Sequence, residues 1–273
     1  MILFPNAKIN IGLNIVGKRT DGYHNIETVF YPIGLCDILE IVADASLLKG
    51  ECRFSVTGLP VTENPEDNLV VKAYNLFNDR FSLPGVSVYL HKVIPMGAGL
   101  GGGSSDAAFM LKGLNSLFSL GLNDNELEQK ASEIGSDCAF FIKDIPVFAY
   151  ERGNLFGDIL LSLRGYHLLV VKPGIHVGTK EAYASITPSL PDKKLTELIK
   201  LPAERWKNLV INDFEQSVFQ LYPEIENIKN NLYRLGALYA SMSGSGSAVY
   251  GLFTELPVNK SLLNGYFIWG AKL

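Results

Sequence analysis

Residues 95–108 read PMGAGLGGGSSDAA, five glycines and two serines in fourteen positions that run directly into a helical pattern. Gly97, Gly99 and Gly102 satisfy G-x-G-x-x-G, a spacing that several unrelated turns share. A dinucleotide fold would set the first glycine straight after a strand, with an acidic residue about twenty positions on at the end of the next strand. Here Pro95 and Met96 intervene, and the corresponding later positions fall within or just after a helix. A Walker A loop needs Gly-Lys-Ser/Thr, and the first lysine beyond the turn is Lys112. A turn that only lets segments pack closely would account for fewer glycines than stand here. Consecutive residues without Cβ can aim several backbone N–H groups into one concavity, and the helix that follows adds free amides and the positive end of its dipole. Ser104 and Ser105 stand at the helix start, where a hydroxyl can cap the helix, contact phosphate or reach a phosphate-bound Mg²⁺. Local chemistry therefore points to phosphate binding.

The rest of the chain bounds what such a site serves. Its 273 residues suffice for one large domain or two ordinary ones, and 47% hydrophobic with 19% charged residues is ordinary globular composition. A formal net charge of −4 argues against a broad positive surface for nucleic acid, so an anionic ligand must be held locally. Cys36, Cys52 and Cys138 show no CxxC spacing and read as small buried thiols of a reducing compartment. The opening MILFPNAKINIGLN alternates in polarity and carries neither a basic leader nor a long apolar core, so it reads as a strand and not a signal peptide. No apolar run is long enough to span a bilayer, and the expectation is a soluble, cytoplasmic protein without membrane or nucleic-acid partners.

From residue 7 to 16, Ile9, Ile11, Leu13 and Ile15 alternate with Lys8, Asn10 and Asn14, which predicts a half-buried strand with Lys8 and Asn10 on one face. Further strands are predicted at 25–33, 37–43, 51–57 and 85–94. Asn68 can cap a helix carrying Leu69, Ala73, Leu76 and Phe77, and a second helix follows the glycines. A third, near 124–134, stops at Gly135. The stretch YERGNLFGD at 150–158 breaks the pattern; beyond it lie a strand at 167–172, a helix within 204–221, another from Pro223 to Gly236, and two strand-like runs joined by SMSGSGS. Strands and helices intermix in both halves, giving an α+β fold divided into residues 1–152 and 153–273.

PMGAGLGGGSSDAA closely resembles the phosphate-binding motif of the GHMP kinases, the superfamily of galactokinase, homoserine kinase, mevalonate kinase and phosphomevalonate kinase. FPNAKINIGLNIVGKRTDGYHNIETVF at the start and SMSGSGSAVYGLF near the end match the outer motifs in the right order, with EDNLVVKAYNLF, EIGSDCAFFI and VVKPGIHVGTKEAY between them. The DGYH segment is the most specific, being similar to that of the branch whose acceptor is a cytidine-diphosphate-linked methylerythritol. The resemblance implies the two-domain GHMP architecture, its N-terminal half like the second domain of ribosomal protein S5 and its C-terminal half ferredoxin-like. It also implies ATP and Mg²⁺ as cofactors, and phosphorylation of the acceptor's 2-hydroxyl in the non-mevalonate isoprenoid route, in a cleft between the halves.

Residue by residue, the resemblance makes Asp137 in GSD the group facing the substrate hydroxyl and Lys8 its partner. Asp137 also reads as the start of a short helix, where the dipole favours a carboxylate and where an ordinary N-cap aspartate would equally stand. Pro95, Met96, Gly97, Ala98, Gly99, Leu100, Gly101, Gly102, Gly103, Ser104 and Ser105 become the nucleotide loop, with Ser104 or Ser105 reaching Mg²⁺. Asn68 and Lys92 fall where the family contacts adenosine; helix capping and surface solvation are their plain alternatives. Asn10, Tyr23, His24, Tyr183, Ser243 and Gly244 fall on the substrate side, Tyr183 as a ring that stacks on cytosine, although it also suits the apolar face of a helix after Gly178. The family often has a proline two residues after the aspartate; here Ala139 stands. A homoserine- or mevalonate-type kinase and a non-catalytic sensor of the same fold are the rival readings, and the oligomer is expected to be a monomer or homodimer.

Overall fold

The chain is described from a computed structural model, which covers residues 1–61, 64–184 and 186–273. In chain order the elements begin with strands β1 (Ile2–Leu3), β2 (Asn6–Lys18), β3 (His24–Cys36), β4 (Ile38–Ala43) and β5 (Cys52–Gly58). Helix α1 (Leu69–Phe81), strand β6 (Val86–Lys92) and helices α2 (Gly102–Leu117), α3 (Asp124–Ile134) and α4 (Phe140–Lys143) follow. Then come β7 (Val147–Tyr150), β8 (Leu155–Asp158), β9 (His167–Lys172), α5 (Thr179–Tyr183), α6 (Leu195–Leu198), α7 (Phe214–Leu221), α8 (Pro223–Arg234), β10 (Tyr239–Met242), β11 (Val249–Phe253) and β12 (Phe267–Lys272).

Packing divides the chain into two compact units, each assembled from several segments, so they do not coincide with a single cut after residue 152. The first comprises Met1–Lys8, Gly34–Met96 and Gly101–Ile145. Its sheet has the order β1-β4-β6-β5; β6 runs antiparallel to β4 and parallel to β5, and α1 makes the crossover that the parallel pair requires. Strand β4 alternates as a one-sided sheet dictates, with Leu39 and Ile41 fully buried while Ile38 and Val42 face outward. Helix α2 reaches that sheet at Gly113, where a Cβ would stand 2.5 Å from Ile41 Cδ1. Tyr74 and Phe77 on the apolar stripe of α1 are completely buried, each such side chain contributing roughly 1.5–3 kcal/mol.

The second unit comprises Ile9–Ile33, Gly97–Leu100 and Pro146–Leu273. One of its sheets has the order β2-β3-β7-β8; the other, β10-β11-β9-β12, is antiparallel throughout. Counted within the second sheet, that order is 2-3-1-4, the ferredoxin-like arrangement. Leu168–Val171 of its inner strand β9 are all completely buried, which explains the continuous apolar run HLLVVK. Val218, Ile225, Ile228 and Leu232 of α7 and α8 close over this sheet with Leu169, Val171, Val249 and Phe253.

Three expectations change in detail. Strand β2 is buried on both faces from Asn6 to Ile15, not half-buried, because its polar side chains find partners inside the fold. The helix expected to start at Asp137 starts at Phe140 and has only four residues; Asp137 lies in the preceding turn, where Cys138 N–H donates to Gly135 O at 3.1 Å. The stretch 150–158 is no break but holds the four-residue turn 151–154 of the β7–β8 hairpin, with Glu151 and Gly153 at positive φ, followed by β8 itself.

Candidate active site

Within the first unit, Lys8 at the start of β2 meets Asp137, Nζ to Oδ2 at 3.5 Å. The lysine side chain is 4% exposed and the aspartate 35%, so one partner is sealed in and the other opens to solvent. Burial lowers the Lys8 ammonium below its ordinary range and the Asp137 charge only partly offsets this. Ala139 adopts φ −60°, the value a proline ring would impose, so the chain keeps that course past Asp137 without a proline.

Gly101, at φ +73°, is the N-cap of α2 and fits a space that no side chain could share. A Cβ there would lie 2.8 Å from Phe141 Cζ and 3.2 Å from Lys8 Cγ. The bare backbone thus lies directly on the stem of Lys8, and the opening amides of α2, from Gly101 to Ser104, lie ahead of the first intrahelical bond, which Ser105 N–H donates to Gly101 O at 2.9 Å. Ser104 is half-buried and interacts with the Cys138 thiol, which burial pushes up to about 12. Ser105 is fully buried, and its Oγ and Asp106 Oδ1 are the buried side-chain oxygens without a hydrogen-bond partner among the described residues.

The earlier part of the turn belongs to the second unit. Gly97 and Gly99 have φ +58° and +75°, while the Ala98 and Leu100 side chains are buried. The turn between β10 and β11 holds this segment: Ser243 Oγ donates to Gly99 O at 2.8 Å, and Ala248 N–H donates to Ala98 O at 3.1 Å. Asn10 N–H donates to Ser243 Oγ at 3.1 Å, Asn10 Nδ2 donates to Thr28 Oγ1 at 3.0 Å, and Asn212 Nδ2 reaches Gly244 O at 2.9 Å. Asn10, Ser243, Gly244 and Gly99 therefore meet in one network. Thr28 and Asn212, which complete it, carry no signature in the sequence.

His24 and Tyr183 stack at 4.6 Å between ring centroids and 14° between planes, and Tyr183 also sets its ring edge-on to Phe214 at 4.7 Å. Tyr183 thus closes α5 against the core, as the apolar-face reading expects, and its ring also lies against His24. Tyr23 next to them is 56% exposed, with the Arg152 guanidinium 4.5 Å above its ring.

Asn68 caps α1, its Oδ1 accepting from Val70 N–H at 2.9 Å, and with Val61, Leu69, Met96 and Gly103 it lines a small pocket of the first unit. Lys92 and Asp106 reach the same pocket; Lys92 is buried and not a surface lysine, its ammonium sitting between Asp37 and Asp106. Sequence reading passed over both of these acids. Pro95 is buried and Met96 half-buried at the entrance to the turn.

The donor set fits a polyphosphate: bare amides, a helix start, a lysine and serine hydroxyls. Among the described residues no group of three or more His, Cys, Asp or Glu side chains is placed to hold a metal ion. No described helix is long and apolar enough to cross a membrane.

Comparison with known proteins identifies the family. Residues 68–152 match the GHMP kinases N terminal domain, and residues 187–262 match the GHMP kinases C terminal domain. A 4-diphosphocytidyl-2-C-methyl-D-erythritol kinase of Parabacteroides distasonis is 53% identical over the whole of both chains. One of Bacteroides fragilis is 57% identical over 93% of this chain and 92% of its own. The crystal structure of a 4-(cytidine 5'-diphospho)-2C-methyl-D-erythritol kinase superposes with a TM-score of 0.81 at 29% identity, covering 99% of this chain and 98% of the other. With both family domains present and relatives this close along its full length, the chain belongs to the GHMP kinases.

Proposed function

We propose that the chain transfers the terminal phosphoryl group of ATP to the 2-hydroxyl of 4-diphosphocytidyl-2-C-methyl-D-erythritol, as a cytoplasmic enzyme of isoprenoid precursor synthesis. The observation that carries the reading is the Lys8–Asp137 pair, placed beside the opening amides of a glycine-started helix in a chain 53% identical to such a kinase over its whole length.

Asp137 accepts the hydroxyl proton as the acceptor oxygen bonds to phosphorus and the bond from phosphorus to the ADP oxygen breaks. A positioned base of this kind contributes roughly 10²–10⁴-fold. Lys8 orients the carboxylate and, while protonated, screens charge on the moving group. The Gly101–Ser104 backbone donates to phosphate oxygens, and the bareness of Gly101–Gly103 allows that close approach. Mg²⁺, when bound, neutralises polyphosphate charge, with Ser104 and Ser105 as the neighbouring hydroxyl donors. On the acceptor side, His24 and Tyr183 offer ring faces to cytosine, with Tyr23, Asn10, Ser243 and Gly244 completing the wall; Asn68 and its pocket take the adenosine.

ADP release measured in parallel with the cytidyl acceptor, homoserine and mevalonate tests the assignment. Turnover restricted to the cytidyl acceptor supports it. Turnover with either of the others identifies a sister kinase, and binding of ATP without ADP release from any acceptor leaves a sensor.

A further inference from the structure

Asp37, Lys92 and Asp106 form a buried ionic cluster that phosphoryl transfer does not itself use. The Lys92 ammonium donates to Asp37 Oδ2 and, at 2.7 Å, to Asp106 Oδ2. Asp37 Oδ1 accepts the backbone N–H groups of Val93 at 2.5 Å and Ile94 at 2.8 Å. None of the three residues is more than 3% exposed. Their places in the chain are the informative part: Lys92–Ile94 is the segment that runs into the glycine turn, and Asp106 lies in the first turns of α2, the segment that runs out of it. Asp37, between β3 and β4, holds the incoming arm directly, and Lys92 ties that arm to the outgoing one. Gly102 leaves the cluster its room, since a Cβ there would stand 2.8 Å from Ile94 Cγ2 and 3.3 Å from Lys92 Nζ.

Stability alone is a poor account of this arrangement. Two carboxylates share one buried cation, and Asp106 Oδ1 has no partner among the described residues. Desolvation of such groups typically consumes most of what their attraction returns, and apolar residues of similar volume often serve stability as well or better. What ions and hydrogen bonds supply that apolar contacts do not is direction.

We propose that Asp37, Lys92 and Asp106 are positioning residues, which hold the incoming and outgoing arms of the glycine turn in the register that points the Gly101–Ser104 amides at phosphate. This rests on nucleotide binding at that turn, and it gives Lys92 and Asp106, which also line the pocket beside Asn68, a role through the turn they brace.

The test uses Asp106→Ala and Asp106→Asn in the full-length enzyme, with KM measured separately for ATP and for the acceptor alcohol, ATP Kd by calorimetry, and thermal melting. Asp106→Ala is expected to raise ATP KM and Kd about tenfold. Acceptor KM should stay within about twofold of wild type. Asp106→Asn, which keeps an oxygen for the lysine, should recover most of the loss. ATP affinity at the wild-type level in Asp106→Ala, or an equal rise in both KM values, would overturn the proposal. If Asp106→Ala does not fold, the paired change Lys92→Met with Asp106→Leu replaces the ions by apolar groups: retained melting with weakened ATP binding supports the proposal, and retained melting with wild-type ATP binding sinks it. Failure of that pair to fold leaves Asp106→Asn to decide, since ATP Kd unchanged there together with an unchanged acceptor KM but lowered melting marks a purely structural cluster. A wild-type protein that binds ATP yet releases no ADP would count against the kinase assignment instead, and the Kd comparison among variants would still be readable.

Discussion

Lys8 and Asp137 face each other at 3.5 Å with opposite relations to solvent, the lysine enclosed and the carboxylate about one-third open. An acceptor hydroxyl can therefore approach Asp137 while Lys8 holds the carboxylate from behind. Asp137→Asn keeps the shape and removes the base, so turnover should fall by roughly 10²–10⁴-fold. ATP KM should be little changed. Single-turnover phosphoryl transfer is the measurement, and a near-normal rate removes Asp137 from the mechanism.

The enclosure of Lys8 also sets a pH dependence. Its ammonium titrates below the ordinary 10.5, first because burial disfavours charge and despite the Asp137 carboxylate. Between the folded value and the unfolded value the unfolded chain binds more protons, so this group adds stability as pH rises through that window. Activity should move the other way, because the ammonium is lost over the same range. The alkaline limb of kcat/KM is expected to begin below the usual lysine range and to disappear in the residual activity of Lys8→Met. An identical limb in that variant assigns it to another group.

Gly101→Val places a β-branched residue at φ +73° with its Cβ against the Phe141 ring and the Lys8 stem. The backbone conformation alone costs about 1–2 kcal/mol, which corresponds to roughly tenfold weaker ATP binding if the turn is displaced to relieve it. Calorimetric titration with ATP checks this; undiminished affinity would remove the turn from nucleotide binding.

Tyr183→Ala removes one ring of the pair with His24. A ring stacked on a base is worth roughly 1–3 kcal/mol, so acceptor KM should rise about five- to hundredfold while ATP KM is spared. The double change His24→Ala with Tyr183→Ala should cost less than the sum of the single changes, since the rings touch. Strict additivity would show that they act independently.

The parts of this molecule that were readable from sequence are those in which a local pattern and a local cause coincide. The bareness of the glycine turn, the Asn68 cap of α1 and the end of α3 at Gly135 all arise from neighbours a few residues apart. Lys92 was not readable, because its environment depends on Asp37, 55 residues away in the link between β3 and β4. The burial of Asn10 was hidden likewise: its partners Thr28 and Ser243 arrive from elsewhere in the chain, and an alternating strand looks the same whether one face or both are covered. Asp137 shows the converse error. A carboxylate ahead of an apolar run suggests a helix start, yet the chain makes a full turn before α4 begins.

Gly99 has a further consequence for how this chain can mutate. A Cβ at that position would lie 1.9 Å from the carbonyl oxygen of Ser243, which is main chain and is present whatever residue occupies position 243. Exchanging the serine side chain cannot clear the collision, so genetic suppressors of Gly99→Ala should arise among changes that bend the 242–248 turn itself. The neighbourhood of Gly99 is thus guarded by backbone, and a lineage could leave it only through a path of at least two coordinated steps.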